Sequence, residues 1–263
     1  MISQLTIDKP ELATGLTDYR SIARVSNSDL TRLKEEHLGY WSVPSARFFP
    51  EKARAFGRAF HSHLLEPETI GTVLEQLLPD LTESGLVGKP MLNGNDKAKL
   101  QQLMHTIRQD AFCQRYLRKS ERERVVLFTD PMSGIACKAR LDVVYTSPKR
   151  RNALILDFKT TSARTQAQFL QTCYDYDYDR QAAFYLDSLR YADLPEWIDT
   201  RRFRFIFIGV QKQRPHRLFA VDATSIPNFV DYGRKKYRFW LRKWKEEQPV
   251  QPDLWPVSSG LAS

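Results

Sequence analysis

The chain has 263 residues, of which 42% are hydrophobic and 27% are charged, and its formal net charge is +9 at neutral pH. This balance is typical of a globular protein with one large domain, and it excludes wholesale disorder. A positive excess of this size favours a polyanionic partner, with nucleic acid ahead of an anionic membrane surface.

The N-terminal segment is predicted to be extended at first and then helical. Residues 1–20 have extended character and contain no apolar core of the kind a signal peptide needs. The polar residues 26–29 precede Leu30 and can cap a helix that runs to about His37.

Two longer helices are predicted next. After a loop at 44–50, residues 51–66 have helical character, and Pro67 ends the helix. A second helix is predicted over 95–119. Its apolar positions at roughly helical spacing are Leu100, Leu103, Ile107 and Phe112.

The central part of the sequence predicts strands. Residues 125–128 are β-branched and aromatic, and the turn-forming residues 130–134 follow them. A second strand is predicted over 135–145, a turn over 147–150 and a short apolar strand over 153–159. Together these segments predict a three-stranded antiparallel unit.

The C-terminal part combines helices with one strong strand. Residues 165–190 return to a helical pattern, and 203–210 form a β-branched and aromatic strand. Residues 217–221 can pair with it as a hairpin, and 226–247 predict a long basic helix. We expect the tail after this helix to be irregular.

These elements predict one domain over residues 1–263. Its class is α/β or α+β, with a mixed central β-sheet flanked by helices. A helical segment at about 1–50 precedes the core, and the basic helix at about 226–247 follows it.

The cysteines and the apolar runs restrict the compartment. Cys113, Cys137 and Cys173 are widely separated and form no CxxC pair, which argues against a disulfide framework and against a zinc or iron–sulfur site. No apolar run approaches the roughly 20 residues of a membrane span. We therefore predict a cytoplasmic protein with no membrane partner.

Two central strands carry charged side chains on one face. Because side chains alternate along a strand, residues 135–145 split into two sets. The apolar set is Cys137, Ala139, Leu141 and Val143, and the opposite set is Lys138, Arg140 and Asp142. In 153–159, Leu154, Leu156 and Phe158 share one face, and Ile155, Asp157 and Lys159 share the other. A carboxylate and an ammonium group near the end of a buried strand cost desolvation energy unless something compensates.

The first hairpin predicts a cross-strand pair of acids. A turn centred between Met132 and Ser133 places Glu123 directly opposite Asp142, unless a bulge shifts the register. Facing carboxylates repel one another, and a divalent cation between them would reverse the sign. Together with Asp157 they form a hard-oxygen site suited to Mg²⁺ or Mn²⁺.

Asp142 and the segment Asp157-Phe158-Lys159, fifteen residues further on, resemble the PD-(D/E)xK nuclease motif. The surrounding segments are similar to RecE-like and RecB-like nucleases in the same order, over roughly residues 20–190. The helix that carries their upstream histidine is matched by residues 56–67, with His61. Their second and third strands and their QxxxY helix are matched by 134–142, 157–161 and 181–185, and the opening by Ser26, Ser28 and Leu30. The resemblance is strongest to RecE-type phage and bacterial exonucleases.

The resemblance implies a restriction-endonuclease-like core and a metal-dependent exonuclease that hydrolyses phosphodiester bonds at duplex DNA ends. Mg²⁺ is the implied cofactor, with Mn²⁺ as a substitute, and the implied process is phage or bacterial recombination or repair. A single-strand annealing protein and a homo-oligomeric ring around DNA are the implied partners. Some relatives hold an iron–sulfur cluster on four cysteines, which this chain cannot supply, so no such cluster is expected.

The resemblance also implies the roles of the central residues. Asp142 and Asp157 would bind the metal together with the Phe158 backbone carbonyl, and Lys159 would orient or activate the attacking water. The alternative for Asp157 and Lys159 is a structural salt bridge. His61 would be a metal ligand or lie just behind one, whereas a lone histidine on an apolar helix face is more often part of the core. We also expect Gly57, on the same helix face, to permit close approach of another backbone.

Further site residues follow from the same likeness. Glu123 is similar to the family's upstream acid, with Glu121 as its competitor. Gln181 would support the catalytic centre. The DNA contacts would come from Thr160, Thr161, Tyr185 and Arg140. For the two threonines the alternative is capping of the next helix, and for Tyr185 it is ordinary packing.

Two other functions remain open at this point. The same core serves restriction-type or nicking endonucleases, and a catalytically silent DNA-binding module would also carry the positive charge.

Two features outside the motif have alternative interpretations. The run at 174–179, which alternates tyrosine and aspartate, is interpreted as a solvated helix start rather than a base-stacking loop, because acidic groups repel phosphate. In the basic C-terminal helix, Tyr237, Trp240 and Trp244 share a face and should pack inward. Its cations would be either a solvated face or part of a DNA channel.

Overall fold

The structure is a computed structural model, and it describes residues 16–39, 51–65, 92–147, 152–193 and 202–247. Several predicted features lie outside these residues: the chain before residue 16, the loop at 44–50, the helix end at Pro67, the turn residues 148–150 and the tail after 247. The boundaries of the single predicted domain therefore stay a prediction.

The described helices occur in two groups along the chain. The first group is α1 (Leu16–Ser21), α2 (Asn27–His37), α3 (Glu51–Leu65), α4 (Gly94–Gln109) and α5 (Ala111–Lys119). The second group is α6 (Gln166–Asp175), α7 (Tyr178–Arg190) and α8 (Phe229–Glu247). None of these helices is both long and apolar enough to cross a lipid bilayer.

One five-stranded mixed sheet separates the helices. Its strands are β1 (Glu121–Thr129), β2 (Ala136–Ser147), β3 (Asn152–Thr161), β4 (Arg202–Gln211) and β5 (Leu218–Asp222), and they lie side by side in that order. The first three strands pair antiparallel, β3 and β4 pair parallel, and β4 and β5 pair antiparallel. Because parallel neighbours need a long crossover, α6 and α7 fill the connection between β3 and β4. The predicted α+β class with a mixed sheet is confirmed.

The sheet is buried on both faces, so the molecule has three layers. On one face the side chains of Leu154, Leu156 and Phe158 pack against α3, α4 and α5. On the other face Ile155 and Phe207 pack against α2, α6, α7 and α8. The alternation predicted for 153–159 is therefore confirmed.

Helix α2 begins where the sequence predicted. Ser26 is its N-cap, and the Ser26 side chain accepts a hydrogen bond from the Asp29 amide at 3.3 Å. In return Asp29 Oδ2 accepts a 2.9 Å bond from the Ser26 amide, so two helix-end donors are satisfied. Leu30 and Leu33 then pack into the core.

The predicted helix over 95–119 is two helices. Asp110 interrupts it, because its carboxylate caps α5 by accepting a 2.8 Å hydrogen bond from the Cys113 amide. Leu100, Leu103 and Ile107 are buried as expected. Phe112 is 39% exposed instead, since the break turns α5 out of register with α4.

The predicted helical stretch at 165–190 is also divided. Asp177 has left-handed backbone geometry (φ 54°) and separates α6 from α7. At the N-terminus, residues 16–20, expected to be extended, belong to helix α1.

The β1–β2 hairpin has the predicted register but is distorted at the acidic pair. Arg122 pairs with Val143 and Arg124 pairs with Leu141, so Glu123 lies opposite Asp142 without itself joining the ladder. Glu123 has φ 49°, a left-handed conformation that costs about 1–3 kcal/mol in a non-glycine residue. At this distortion, alternate residues of β2 change the sheet face on which they lie. Leu141 packs on the face covered by α7, whereas Val143 packs on the face covered by α3. The prediction that Val143 shares a face with Leu141 is therefore wrong.

A glycine controls how closely α8 approaches α7. A Cβ atom at Gly233 would lie 1.9 Å from the Asp179 carbonyl oxygen, a contact that only backbone movement could relieve. Gly57 shows the opposite situation, because among the described residues no atom beyond its chain neighbours and its own helix backbone lies within 4 Å of the place of its Cβ. The expected close approach of another backbone at Gly57 is therefore wrong.

The two glycines give a matched pair of stability predictions. Gly233→Ala should lower the free energy of unfolding by about 2–3 kcal/mol, because the new methyl group forces α8 away from α7. Gly57→Ala should be neutral or stabilising by up to about 1 kcal/mol, because alanine favours the helix and meets open space. Urea denaturation measures both changes, and a Gly233→Ala variant as stable as the wild type would contradict this packing.

Candidate active site

The candidate site lies where β2 and β3 separate. Backbone pairing between these strands runs from Ser147–Asn152 to Val143–Leu156 and stops there. Asp142 and Asp157 are the next residues on the two strands, so they lie across the point of separation. Beyond it, β2 pairs instead with Val25, which forms a parallel bridge to Cys137.

Asp142 is fixed by the neighbouring strand and by helix α3. Its Oδ2 accepts a 3.0 Å hydrogen bond from the Phe158 amide, which occupies the gap left by the missing ladder. The same oxygen lies 3.3 Å from His61 Nδ1. The Phe158 backbone also acts to raise the pKa of the His61 ring, which indicates that the predicted carbonyl ligand lies next to the predicted histidine.

Three candidate ligands form a compact group. His61, Glu123 and Asp142 each offer one ligand atom, and these atoms lie within 4.8 Å of one another. Arg140 closes the group on one side, with its Nε 2.7 Å from Glu123 Oε2. Glu121 is exposed and pairs with Arg124 instead, so Glu123 is the acid that the structure brings to the site.

Asp157 has a different set of partners. Its Oδ1 lies 2.5 Å from Lys159 Nζ, and its Oδ2 accepts a 2.7 Å hydrogen bond from Gln181 Nε2 on α7. The carboxylate is 1% exposed, so both contacts are shielded from water. The predicted ligand set was His61, Asp142, Asp157 and the Phe158 backbone carbonyl. The structure places Asp157 beside the group of His61, Glu123 and Asp142, between Lys159 and Gln181.

Burial and charge shift the proton affinities of the acids and the histidine. Burial raises the pKa of Asp142, and it raises the pKa of Asp157 to about 6 against the opposing field of Lys159. Burial, together with the charge of Lys159, lowers the pKa of His61 to about 4. The imidazole is therefore neutral at physiological pH and keeps a lone pair that could bind a cation.

Lys159 stays protonated in spite of its surroundings. Burial would lower its pKa, but the carboxylate of Asp157, with Tyr178 and Asp142, more than compensates and raises it. The Lys159 ammonium also lies 5.2 Å from the centre of the Tyr178 ring. Sequence reasoning missed Tyr178 because it interpreted the run 174–179 as a solvated helix start.

The structure corrects that interpretation for Asp177 and Asp179, whereas residues 174–176 are exposed as expected. Asp179 is 1% exposed, and its Oδ2 lies 2.8 Å from Lys236 Nζ. Asp177 forms ion pairs with Lys34 and with Lys236. These two acidic side chains pair with lysines that are distant in sequence, which no local pattern could indicate, whereas Asp175 is exposed.

The residues predicted to contact DNA have varied surroundings. Thr161 is buried, and its hydroxyl accepts a 3.1 Å bond from the Ala163 amide. Thr160 is half-buried, and Thr165 rather than either threonine caps α6. Tyr185 is half-buried against Phe205, and burial raises its pKa.

The basic C-terminal helix is tied to the rest of the molecule by several of its cations. Arg234 Nε lies 2.6 Å from Asp187 Oδ2, and Arg238 Nε lies 3.7 Å from Asp130 Oδ1. Tyr237 is fully buried, and Trp240 and Trp244 pack partly buried against the core, as the sequence predicted. Arg234, Lys236 and Arg238 therefore do not form a purely solvated face, and the alternative of a DNA channel stays a prediction.

Comparison with known proteins identifies relatives of this architecture. A family model described as a PDDEXK-like domain of unknown function (DUF3799) matches residues 30–262. The crystal structure of a "Putative exonuclease" from Eubacterium rectale is 16% identical, covers 82% of this chain and 74% of that one, and has a TM-score of 0.55, which shows a shared fold. The crystal structure of SSO0001 is 12% identical, covers 81% and 84% of the two chains, and has a TM-score of 0.34, too low to indicate a shared fold.

No curated protein matches the chain significantly. The predicted likeness to PD-(D/E)xK proteins is confirmed at this level, and the RecE-type assignment stays a prediction.

Because Asp142 is buried and Asp222 is well hydrogen-bonded, we expect removal of their charges to change the Tm in opposite directions. Without a cation, Asp142→Asn should raise the Tm by roughly 2–4 °C, because it removes a carboxylate that burial destabilises while keeping an oxygen for the Phe158 amide. Asp222→Asn should lower the Tm, because burial there is outweighed by hydrogen bonds from Thr224, Ser225 and Arg204 that lower the pKa of Asp222. Thermal unfolding in a chelator at pH 8 compares the two variants, and a lower Tm for Asp142→Asn would contradict the prediction.

Proposed function

Since the chain belongs to the family of PDDEXK-like domains, we propose that it is a Mg²⁺-dependent deoxyribonuclease that removes nucleotides from duplex DNA ends. The proposal is based on two sets of side chains that lie close together where β2 and β3 separate. One is the cluster of His61, Glu123 and Asp142, and the other is the buried Asp157–Lys159 pair. Family membership supports the nuclease class, and the action on DNA ends rests on the motif resemblance.

The clustered residues fit a divalent cation. Two carboxylates and a neutral imidazole provide a donor set of the kind that binds Mg²⁺ or Mn²⁺. Burial raises the pKa of Asp142, so an added positive charge would relieve an existing cost. Asp157 and the Phe158 carbonyl complete the proposed ligand set. When bound, the cation would neutralise charge on the phosphate and make water more acidic.

Lys159 is the proposed electrophilic group of the reaction. Its ammonium keeps its proton because Asp157 lies 2.5 Å away, so it can donate hydrogen bonds to the attacking water or to a phosphate oxygen. As charge develops on the phosphate in the transition state, a fixed cation at this position stabilises it more than it stabilises the ground state.

Gln181 is the proposed positioning residue. Its amide holds Asp157 Oδ2 from α7, whereas His61 approaches Asp142 from α3 on the other side of the sheet. Each of the two acids is therefore anchored by a different helical layer, which keeps their separation fixed.

The proposal also includes the DNA contacts, the biological process and the partners. Arg140, Thr160, Thr161 and Tyr185 are proposed to contact the DNA, and the process is proposed to be phage or bacterial recombination or repair. A single-strand annealing protein and a ring of identical subunits are the proposed partners, by resemblance to RecE-type exonucleases.

Cleavage of matched linear and covalently closed circular DNA in Mg²⁺ tests the activity. The wild type should degrade only the linear form, because the proposed substrate is a free end. Asp157→Asn should reduce the rate by about a thousandfold or more, because it disrupts the carboxylate that holds Lys159. Agarose gels and released nucleotides measure both. Nicked circles would indicate the endonuclease instead, and an unimpaired Asp157→Asn variant would contradict the proposed site.

Ion binding can be tested without any DNA. Millimolar Mg²⁺ or Mn²⁺ should raise the Tm of the wild type by several degrees, because a ligand that binds only the folded state stabilises it. Asp142→Asn should lose most of this shift, and Asp222→Asn should keep it. Equal shifts in all three proteins would place the ion elsewhere.

A further inference from the structure

The turn between α6 and α7 presents tyrosine rings beside the candidate site. Tyr178 stacks on Phe207 of β4, with ring centres 5.2 Å apart and planes 25° apart. Its ring centre also lies 5.2 Å from Lys159 Nζ. The ring of Tyr176 is 6.1 Å from that of Tyr178 and 43% exposed. An exposed aromatic surface therefore lies next to the ring that contacts Lys159.

Two of the three acids in this turn are paired with lysines, so they repel a DNA phosphate less than free carboxylates would. Asp177 is paired with Lys34 and Lys236, and Asp179 is buried against Lys236. Lys34 and Lys236 remain about one-quarter exposed, so cationic surface stays accessible close to the tyrosines. Asp175, the third acid, is exposed and accepts a hydrogen bond from Gln171.

From these contacts we propose that Tyr176 is a stacking site for an unpaired nucleobase of the DNA strand being cut. This inference rests on the proposed nuclease function and specifies its substrate. A base can stack on a protein ring only when its own face is free, as at a frayed end or in a single strand. In the proposed path, a strand whose phosphate lies at Lys159 continues past the Tyr178 ring to Tyr176, and its terminal base pairs are then open.

Tyr176 differs from the two neighbouring tyrosines in its surroundings. Tyr178 is half-buried between Lys159 and Phe207 and supports the site. Tyr174 packs edge-on against Phe229, with ring centres 5.1 Å apart, which directs it towards α8 rather than towards Lys159. Tyr176 combines exposure with adjacency to the Tyr178 ring.

A substrate series tests the proposal. Cleavage in Mg²⁺ is measured on duplexes with mismatched ends in which each of the three terminal nucleotides of either strand is replaced in turn by an abasic residue. Tyr176→Ala should lower kcat/KM roughly tenfold on the intact substrate, the scale of one lost base–aromatic stack. At one abasic position the wild type should fall by a similar factor, and Tyr176→Ala should lose nothing further, because both changes remove the same contact.

Two control variants isolate the ring. Tyr176→Phe keeps the aromatic face and should behave like the wild type. Phe239→Ala removes a ring of equal exposure, 43%, from α8 and should also leave kcat/KM unchanged. An undiminished Tyr176→Ala variant would overturn the proposal. So would an equal loss in Tyr176→Ala on every abasic substrate, or an equal loss in Phe239→Ala.

A binding measurement keeps this inference distinct from the proposed catalysis. The affinity for a single-stranded oligonucleotide, followed by fluorescence anisotropy in chelator, should fall roughly tenfold in Tyr176→Ala. A wild type that cleaves no DNA would refute the nuclease proposal, while this binding difference would still support the stacking site. Normal cleavage with equal binding by both proteins would refute the stacking site alone.

Discussion

The separation of β2 and β3 is the feature on which the candidate site depends. Two carboxylates, Asp142 and Asp157, lie opposite each other where the ladder ends, and facing like charges in a sheet repel. The chain accommodates them by opening the ladder, inserting the Phe158 amide beside Asp142, and giving Asp157 an ammonium partner two residues further on. The left-handed geometry at Glu123 and the exchange of faces at Val143 belong to the same distortion. Local strain of this kind persists only where the surrounding packing enforces it.

Much of this arrangement could be predicted from the sequence because it depends on local geometry. Alternation along a strand placed Asp157 and Lys159 on one face, and a turn at residues 130–134 fixed Glu123 opposite Asp142. The identity of the upstream acid needed the structure, because Glu121 and Glu123 both lie on the same face of an alternating strand. The local distortion brings only Glu123 to the cluster, and alternation contains no sign of it.

Other errors have physical origins that apolar and polar patterns do not contain, and one of them is charge compensation between segments distant in sequence. The run at 174–179 looks solvated until Lys34 and Lys236 are placed beside it, more than fifty residues away on either side. Similarly, the apolar spacing of 95–119 continues through Asp110, and only the capping bond to Cys113 shows that one helix has ended and another has begun. Periodicity reports which side of a helix is apolar, but it does not report whether the helix remains continuous.

The contact between α8 and the start of α7 also bears on biosynthesis. Lys236 holds Asp177 and Asp179 at the head of the helix that supplies Tyr178 and Gln181. Chains fold from the N-terminus as they leave the ribosome, so the strands bearing the acids and Lys159 emerge before α8 has been made. An interrupted polypeptide therefore contains every side chain proposed for catalysis but lacks Lys236, which holds the start of α7. If the proposed function is correct, completion of translation rather than synthesis of the motif would mark the moment at which the candidate site gains its full support.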